Sequence, residues 1–339
     1  VRIGYSFWGF LSPGITDTPD GGRSHRRVLV DGLLSCGHDI VFLQADRDRL
    51  EAGHDLTGTY RWDEHLPEID ALFLEWRWPI AGRNTAPCGS PGHTCDLHRQ
   101  AELVEHYTHR RSVPTILWDK DRQLPSDHPL RQLANVTICE AALHPASGAR
   151  SLLFPVDDTV LDQADAQALA ARRRDLPLVY IGNQYDRDHI FDEFFAVPAK
   201  RHRHMVAGKW TSTPAWPHVT FAGRVPFSQV EQLHRGALAT VLLLPDRYSK
   251  VGQMTQRLPE AVLAGCLPLT PTTIRSADLF TPTTLHVRTG NEASRRLQHL
   301  VSIAGTTEHT KLIAQCLLKL DRFRVSRQLD TLEPILDPA

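Results

Sequence analysis

The sequence predicts an α/β protein of two doubly wound domains, and three observations carry that prediction. Short apolar, β-branched runs alternate with longer amphipathic stretches, which is the pattern of βα units feeding a mostly parallel sheet. The alternation occurs in two separate series. The chain is 339 residues long, and at about 100–200 residues per domain that length suits two domains. Buried strands of this kind need helices on both faces, so each series closes as its own layered domain.

In chain order, the first series reads VRIGYSF, HDIVFLQ, DALFLEW, VPTILWD, NVTICE and SLLFPV. From Pro155 to Arg174 a polar, alanine-rich and then basic stretch interrupts the strand rhythm and marks the join, with a helix of its own. The second series reads LPLVYIG, HMVAGKW, VTFAG, ATVLLLP, CLPLTP and TLHV. After Gly305 the pattern turns helical, with Leu312, Ile313, Cys316, Leu317 and Leu320 at helical spacing. The expected organisation is a first domain over 1–160, a second over 161–310, and a helical segment over 311–339 that packs across the domains.

Composition excludes several classes. The 38 basic and 39 acidic side chains leave a net charge of -1, which offers no global field for a polyanion and so disfavours nucleic acid as a partner. No run approaches the ~18 apolar residues of a membrane span, and the opening VRIGYSF lacks the basic and long apolar regions of a secretory signal. Six scattered cysteines suit a reduced interior rather than a disulfide scaffold. A cytoplasmic chain is expected, and the arginine-rich, lysine-poor composition suggests a bacterial source. The basic runs Arg172–Arg174 and Arg201–His204 read as solvated surface. No G-x-G-x-x-G fingerprint, P-loop or G-x-S-x-G elbow is present, which disfavours a dehydrogenase, a P-loop hydrolase and the simplest esterase.

Ligands in open α/β sheets bind beyond the carboxyl ends of the strands, so the loops that follow each strand hold the candidates. After the first strand, Gly21 and Gly22 precede a helix start and permit close approach of an acceptor to the backbone. After the first strand of the second series come Asn183 and Arg187, and Arg187 offers a planar fork that matches phosphate oxygens. The next strand ends at Lys209, a second cation for phosphate. The stretch LLLPDRYSKVGQMTQRLPEAVLAGCLPLTP is the most informative: a strand to Pro245, a loop with Tyr248, Lys250 and Gly252, then a short helix with Arg257 and Glu260. Pro259 is tolerated only in a helix's first turn, so that helix should begin near Arg257 or Leu258.

This stretch resembles the nucleotide-sugar-binding segment of GT-B glycosyltransferases, especially the family-1/family-4-like and CgeB-like groups, whose helix reads R-x-F-E-A-x-A-x-G. The resemblance extends in order through VYIGN, VAGKW, VTFAGRVPFSQVEQLHRGALATVLLLP and QRLPEAVLAGCLPL. It implies two Rossmann-like domains facing across a cleft, the second binding the donor and the first the acceptor. Glu260 would hold the ribose hydroxyls, with Arg257 and the Gly252 loop facing the diphosphate. The chain departs from many family-4 members in carrying Gly252 where a first carboxylate would stand eight residues before Glu260, and Pro259 where an aromatic is common.

The implied activity is transfer of a sugar from a nucleotide-diphosphate sugar to a hydroxyl acceptor, a small natural product or glycan precursor, without a tightly held metal. Arg187, Lys209 and Arg257 would neutralise the leaving group. A general base would come from the first domain, where Asp20, His25, Glu75 and Asp119 stand after strands or in the first loop. Trp76 and Arg77, with Trp78 beyond them, could form an acceptor platform. Cys88, His93, Cys95 and His98 match no standard pair-and-pair zinc spacing, so no metal is assigned to them. The alternatives are a DNA-modifying phage-type sugar transferase, a sugar-nucleotide epimerase on the same fold and a non-catalytic two-lobed sugar-binding protein.

Overall fold

The computed structural model describes residues 1–12, 23–81, 84–91 and 93–336. It divides the chain into two compact units, one built from the described residues up to Pro155 together with those from Val325 onward, the other from Val156 to Arg324.

The first unit holds a parallel sheet of β1 (Arg2–Ser6), β2 (Asp39–Phe42), β3 (Arg61–Trp62), β4 (Ala71–Glu75), β5 (Thr115–Asp119), β6 (Val136–Glu140) and β7 (Arg150–Ser151), in the order β3-β2-β1-β4-β5-β6-β7. Alternation along each strand sends side chains to two opposite faces. Ile3, Tyr5, Phe42, Phe73, Ile116 and Trp118 pack on one face with Leu29 and Leu33 of the helix Arg23–Ser35. Val41, Leu72, Leu74, Leu117 and Ile138 pack on the other with Leu103 and Tyr107.

The C-terminal helix Val325–Leu336 returns to this unit, burying Leu329, Leu332 and Leu336 in the same cluster as Leu29. Gly32 makes room for it, since a Cβ there would stand 2.8 Å from Val325 Cγ2. The helix Thr307–Lys319, which precedes it, stays with the second unit and buries Leu312, Ile313 and Cys316. Among the described residues the two ends of the second unit meet each other: Val156 N–H donates to Phe323 C=O at 2.7 Å, and Val156 bridges Arg324 in parallel.

The second unit holds β8 (Leu176–Ile181), β9 (His204–Ala207), β10 (Phe221–Gly223), β11 (Ala237–Val241), β12 (Leu267–Pro271) and β13 (His286–Val287), all parallel, in the order β10-β9-β8-β11-β12-β13. Both units are therefore doubly wound and Rossmann-like. Every predicted run contains a strand or part of one, and only the two-residue β3 lacks a predicted counterpart. The run expected to end at Pro245 leaves the sheet after Val241, with Leu242 N–H still reaching Leu269 C=O at 2.9 Å.

The join contains two short helices, Asp158–Asp162 and Ala166–Ala171, capped by the carboxylates of Asp157 and Asp165. Arg174, expected at the solvated surface, is half-buried. Its guanidinium donates to the carbonyls of Leu169, Gly265 and Ala237 at 2.7–3.1 Å, pinning the join to the second sheet. Among the described residues no helix is long and apolar enough to cross a membrane.

Candidate functional sites at the two switch points

Each sheet reverses its winding once, between β1 and β4 in the first unit and between β8 and β11 in the second. Strand ends splay apart there and leave room for a ligand. Both points hold buried charged groups.

In the first unit, Glu75 ends β4 with its carboxylate fully enclosed. It accepts from Tyr5 Oη at 2.8 Å, from Arg26 Nε and Nη2 at 2.7 Å each, and from Lys120 Nζ at 2.5 Å. Burial by itself would raise this carboxyl, but the Arg26 and Lys120 charges outweigh it and hold it well below the usual carboxylate range. Arg26 is fully buried and also donates to the carbonyls of Phe10 and Trp8. His25, 3% exposed, lies with its ring 4.5 Å from Phe154 and 5.4 Å from Trp118. Asp119 is 1% exposed and accepts from the backbone N–H groups of Gln123 and Leu124 at 2.9 Å, holding the turn after β5. Burial raises its carboxyl above the ordinary value against those two bonds.

Arg77 is buried and clamped on both backbone sides by the Gln100 amide, at 2.8 and 3.0 Å, while its guanidinium donates to Glu75 C=O. Trp76 packs against the cluster of Leu72 and Leu103, with its ring 5.3 Å from His128. Asp20, Gly21 and Gly22 lie outside the described residues. Arg26, Lys120 and Tyr5 belong to no motif in the sequence that would single them out. One signal was available: Arg26 shares the helical stripe of Leu29, Val30 and Leu33, all fully buried, and an arginine there must find a buried partner.

In the second unit, Asn183, Arg187, Tyr248 and Arg257 come together where β8 and β11 end. Arg187 is 5% exposed and its Nη1 donates to Asn183 C=O at 2.5 Å, while its Nε is buried with no hydrogen-bond partner. Burial, then the nearby Arg257 and Arg247 charges, lower its affinity for its proton, and the neighbouring Tyr180 and Tyr248 oppose them. Arg257 begins its helix, Arg257–Leu263, at the residue expected. Its Nε donates to Ile181 C=O, and its guanidinium carbon stands 5.9 Å from the Tyr180 ring centre. No carboxylate pairs with Arg187 or Arg257 among the described residues. His234 feels the same field, with burial and the Arg257 charge pushing it down to about 3.

The remaining donor candidates surround this pair. Glu260 lies one turn along the helix from Arg257 and is partly exposed. Gly252 has φ +61°, a left-handed value that glycine adopts without strain. Tyr248 is buried with the Arg247 guanidinium 4.9 Å from its ring centre. Lys209 is exposed, and its backbone N–H donates to Asn183 Oδ1 at 2.8 Å. An open cavity of about 770 Å³ lies beside them, lined by Gln184, Arg187, Thr211, Pro245 and the ion pair of Arg247 with Asp186 at 2.6 Å. Arg247 and Gln184 carried no motif that would single them out.

Two glycines let these parts approach. A Cβ at Gly182 would fall 2.4 Å from Arg257 Nε, and one at Gly208, where φ is +140°, would fall 2.2 Å from Gly182 C=O. Because the second clash is with backbone, Gly208→Ala is expected to destabilise the second unit by about 1–3 kcal/mol, read as a lowered midpoint in thermal denaturation. An unchanged midpoint would mean that the two strand ends are not packed this closely.

No protein-family model matches this sequence, and no curated protein matches it significantly. Solved structures do match in fold. A DNA-modifying β-glucosyltransferase, solved with and without uridine diphosphoglucose, aligns over 99% of this chain and 100% of its own, at TM-score 0.65 and 12% identity. The T4 phage enzyme with its UDP-glucose substrate aligns equally far at TM-score 0.67 and 12% identity. An α-glucosyltransferase in complex with UDP-glucose and DNA containing an abasic site aligns over 99% and 98% at TM-score 0.63 and 10% identity. A glycosyltransferase involved in avilamycin A biosynthesis aligns over 100% and 98% at TM-score 0.55 and 13% identity. The chain has the GT-B fold.

These comparisons correct one expectation. Nucleic acid was disfavoured as a partner on net charge, yet structures of a DNA-modifying enzyme and of a glucosyltransferase holding DNA share this fold over its full length. Net charge is a sum over the whole surface and carries no information about how charge is distributed upon it.

Proposed function

We propose that this chain transfers a sugar from a nucleoside-diphosphate sugar to a hydroxyl group carried on DNA. The observation that carries the donor half is the pair of guanidiniums, Arg187 and Arg257, gathered at the switch point of the second sheet without a carboxylate among the described residues. A buried cation such as Arg187, with the half-buried Arg257 beside it and no carboxylate partner for either among the described residues, is completed by an anion, and a diphosphate meets two forks at once. In this reading they also neutralise charge on the departing diphosphate, which lowers the barrier to transfer. Glu260 takes the ribose hydroxyls and the Gly252 loop faces the diphosphate beside Arg257, as the resemblance to family-4-like enzymes implies, with Asn183, Lys209 and Tyr248 as the other donor-side residues.

The first unit then presents the acceptor, with Gly21, Gly22, Trp76 and Arg77 on that side and Asp20, His25 and Asp119 as the groups near the proton to be removed. DNA is favoured over a small acceptor because the DNA-related structures match at TM-scores of 0.63 to 0.67, against 0.55 for the antibiotic-pathway enzyme. Glycosyl transfer needs a nucleophilic oxygen, so the acceptor base must itself carry a hydroxyl.

The test is incubation of the chain with labelled nucleoside-diphosphate sugars and duplex DNA bearing hydroxymethylated bases, with unmodified duplex and small hydroxyl acceptors as parallel arms. Label on the hydroxymethylated duplex together with released nucleoside diphosphate is expected. Label only on a small acceptor would replace DNA with a natural-product acceptor, and failure of every nucleoside diphosphate to bind would overturn the donor reading too.

A further inference from the structure

The loop between β4 and the helix Asp96–Leu103 carries no helix or strand among its described residues, and its sequence is rich in glycine and proline, with no large apolar residue after Ile80. A loop of this length ordinarily needs something to hold it. Four side chains converge within it. One ligand atom each from Cys88, His93, Cys95 and His98 can be chosen so that all four lie within 4.8 Å of one another. Cys88 Sγ lies 3.2 Å from His98 Nδ1, close to the edge of roughly 3.3–3.8 Å expected of a tetrahedron with metal–sulfur bonds of about 2.3 Å and metal–nitrogen bonds of about 2.0–2.1 Å.

Local structure brings the four together. Cys95 is the residue before the helix, and its side chain makes no capping bond there. His98 follows three positions later, so both face the same side of the first turn. Cys88 precedes Gly89, whose φ of +83° turns the chain back toward the helix. Asp96 accepts from Thr94 Oγ1 at 2.5 Å and from Asn84 Nδ2 at 3.2 Å, and Asn84 in turn receives Ile80 N–H at 2.6 Å and donates to Trp78 C=O at 3.0 Å. The loop is thus tied to the helix on both sides of the cluster.

A second observation points independently to a ligand. Both ring nitrogens of His93 are shielded from solvent and have no hydrogen-bond partner. Buried imidazole nitrogens normally find a partner, and a metal supplies one.

We propose that Cys88, His93, Cys95 and His98 bind one structural zinc ion that staples this loop to the start of the helix Asp96–Leu103. The donor set selects the metal. Two thiolates and two imidazoles are borderline-soft, suit tetrahedral geometry and leave no position open for substrate, which marks a structural rather than a catalytic site. Their two negative charges balance the dication. The spacing, one cysteine and one histidine in the loop followed by the same pair at the helix start, differs from pair-and-pair motifs because three of the four ligands are placed by the turn and helix rather than by a knuckle. None of the four ligands is among the residues assigned to transfer, and although Trp76 and Arg77 begin the same loop, metal content and the cobalt spectrum read the site independently of that activity.

The test uses the full, tag-free chain. Elemental analysis after gel filtration is expected to find about one zinc per chain. Replacement by cobalt(II) should give the intense visible bands of a tetrahedral, thiolate-bound ion, and chelation should open residues 76–95 to protease. The Cys88→Ser, Cys95→Ser double variant should lose the zinc. A chain purified without zinc that also yields no tetrahedral cobalt spectrum would overturn the proposal, and so would zinc retained in full by the double variant. The first two measurements use the unaltered protein and hold even if the variant fails to fold.

Discussion

Glu75→Gln is expected to destabilise the first unit by roughly 3–5 kcal/mol, the cost of breaking a buried ion pair from its carboxylate side. For a unit of this size that is a fall of about 6–20 °C in its thermal midpoint. The amide keeps the shape and one acceptor, but it removes the carboxylate charge shared by Arg26, fully buried, and Lys120, 6% exposed. Tyr5→Phe supplies the control: it removes a single neutral donor from the same carboxylate and should cost about 1 kcal/mol. The pH dependence follows in sign. The folded-state carboxyl is held below its unfolded value of 4.5, so its contribution is present above that pH and is lost as pH falls through the folded-state value. The gap between wild type and Glu75→Gln should therefore narrow in acid. A gap below about 1 kcal/mol at neutral pH would show that the cluster is not the electrostatic centre of the first sheet.

The architecture was legible because short, continuous apolar runs such as ALFLE and LPLVYI, alternating with longer amphipathic stretches, read as strands enclosed on both faces, and these became β4 and β8. The start of the Arg257 helix was legible for a local reason, the tolerance of proline in a first turn. Glu75 was identified as a candidate, but its surroundings were not, because Tyr5, Arg26 and Lys120 come from three segments whose meeting is a property of strand order. Strand order is not written in any single window of sequence. The return of Val325–Leu336 to the first unit has the same origin: its apolar stripe says that it packs, and only the space above Gly32 says where. The four metal-type ligands were visible as residues and invisible as a site, since their convergence depends on the turn at Gly89 and on the helix beginning at Asp96.

Arg187→Met is expected to move binding and stability in opposite directions, which is what distinguishes a ligand-binding cation from a structural one. In the unliganded chain Arg187 is a desolvated charge that, among the described residues, bonds one carbonyl and leaves its Nε without a partner. Replacing such a group with an apolar side chain of similar volume is typically neutral or stabilising, so the thermal midpoint without ligand should hold or rise. A diphosphate would satisfy the fork with charge-assisted bonds worth about 1.5–3 kcal/mol each, so the same substitution should weaken nucleoside-diphosphate binding by roughly 10- to 150-fold in calorimetric titration. Arg187→Lys should recover only part of that loss, because a point charge cannot reproduce a planar two-pronged contact. A structural arginine would behave the other way, with lower stability and unchanged affinity for the nucleotide. Two guanidiniums that find no carboxylate among the described residues are a cost to the free protein, and a bound diphosphate would remove it.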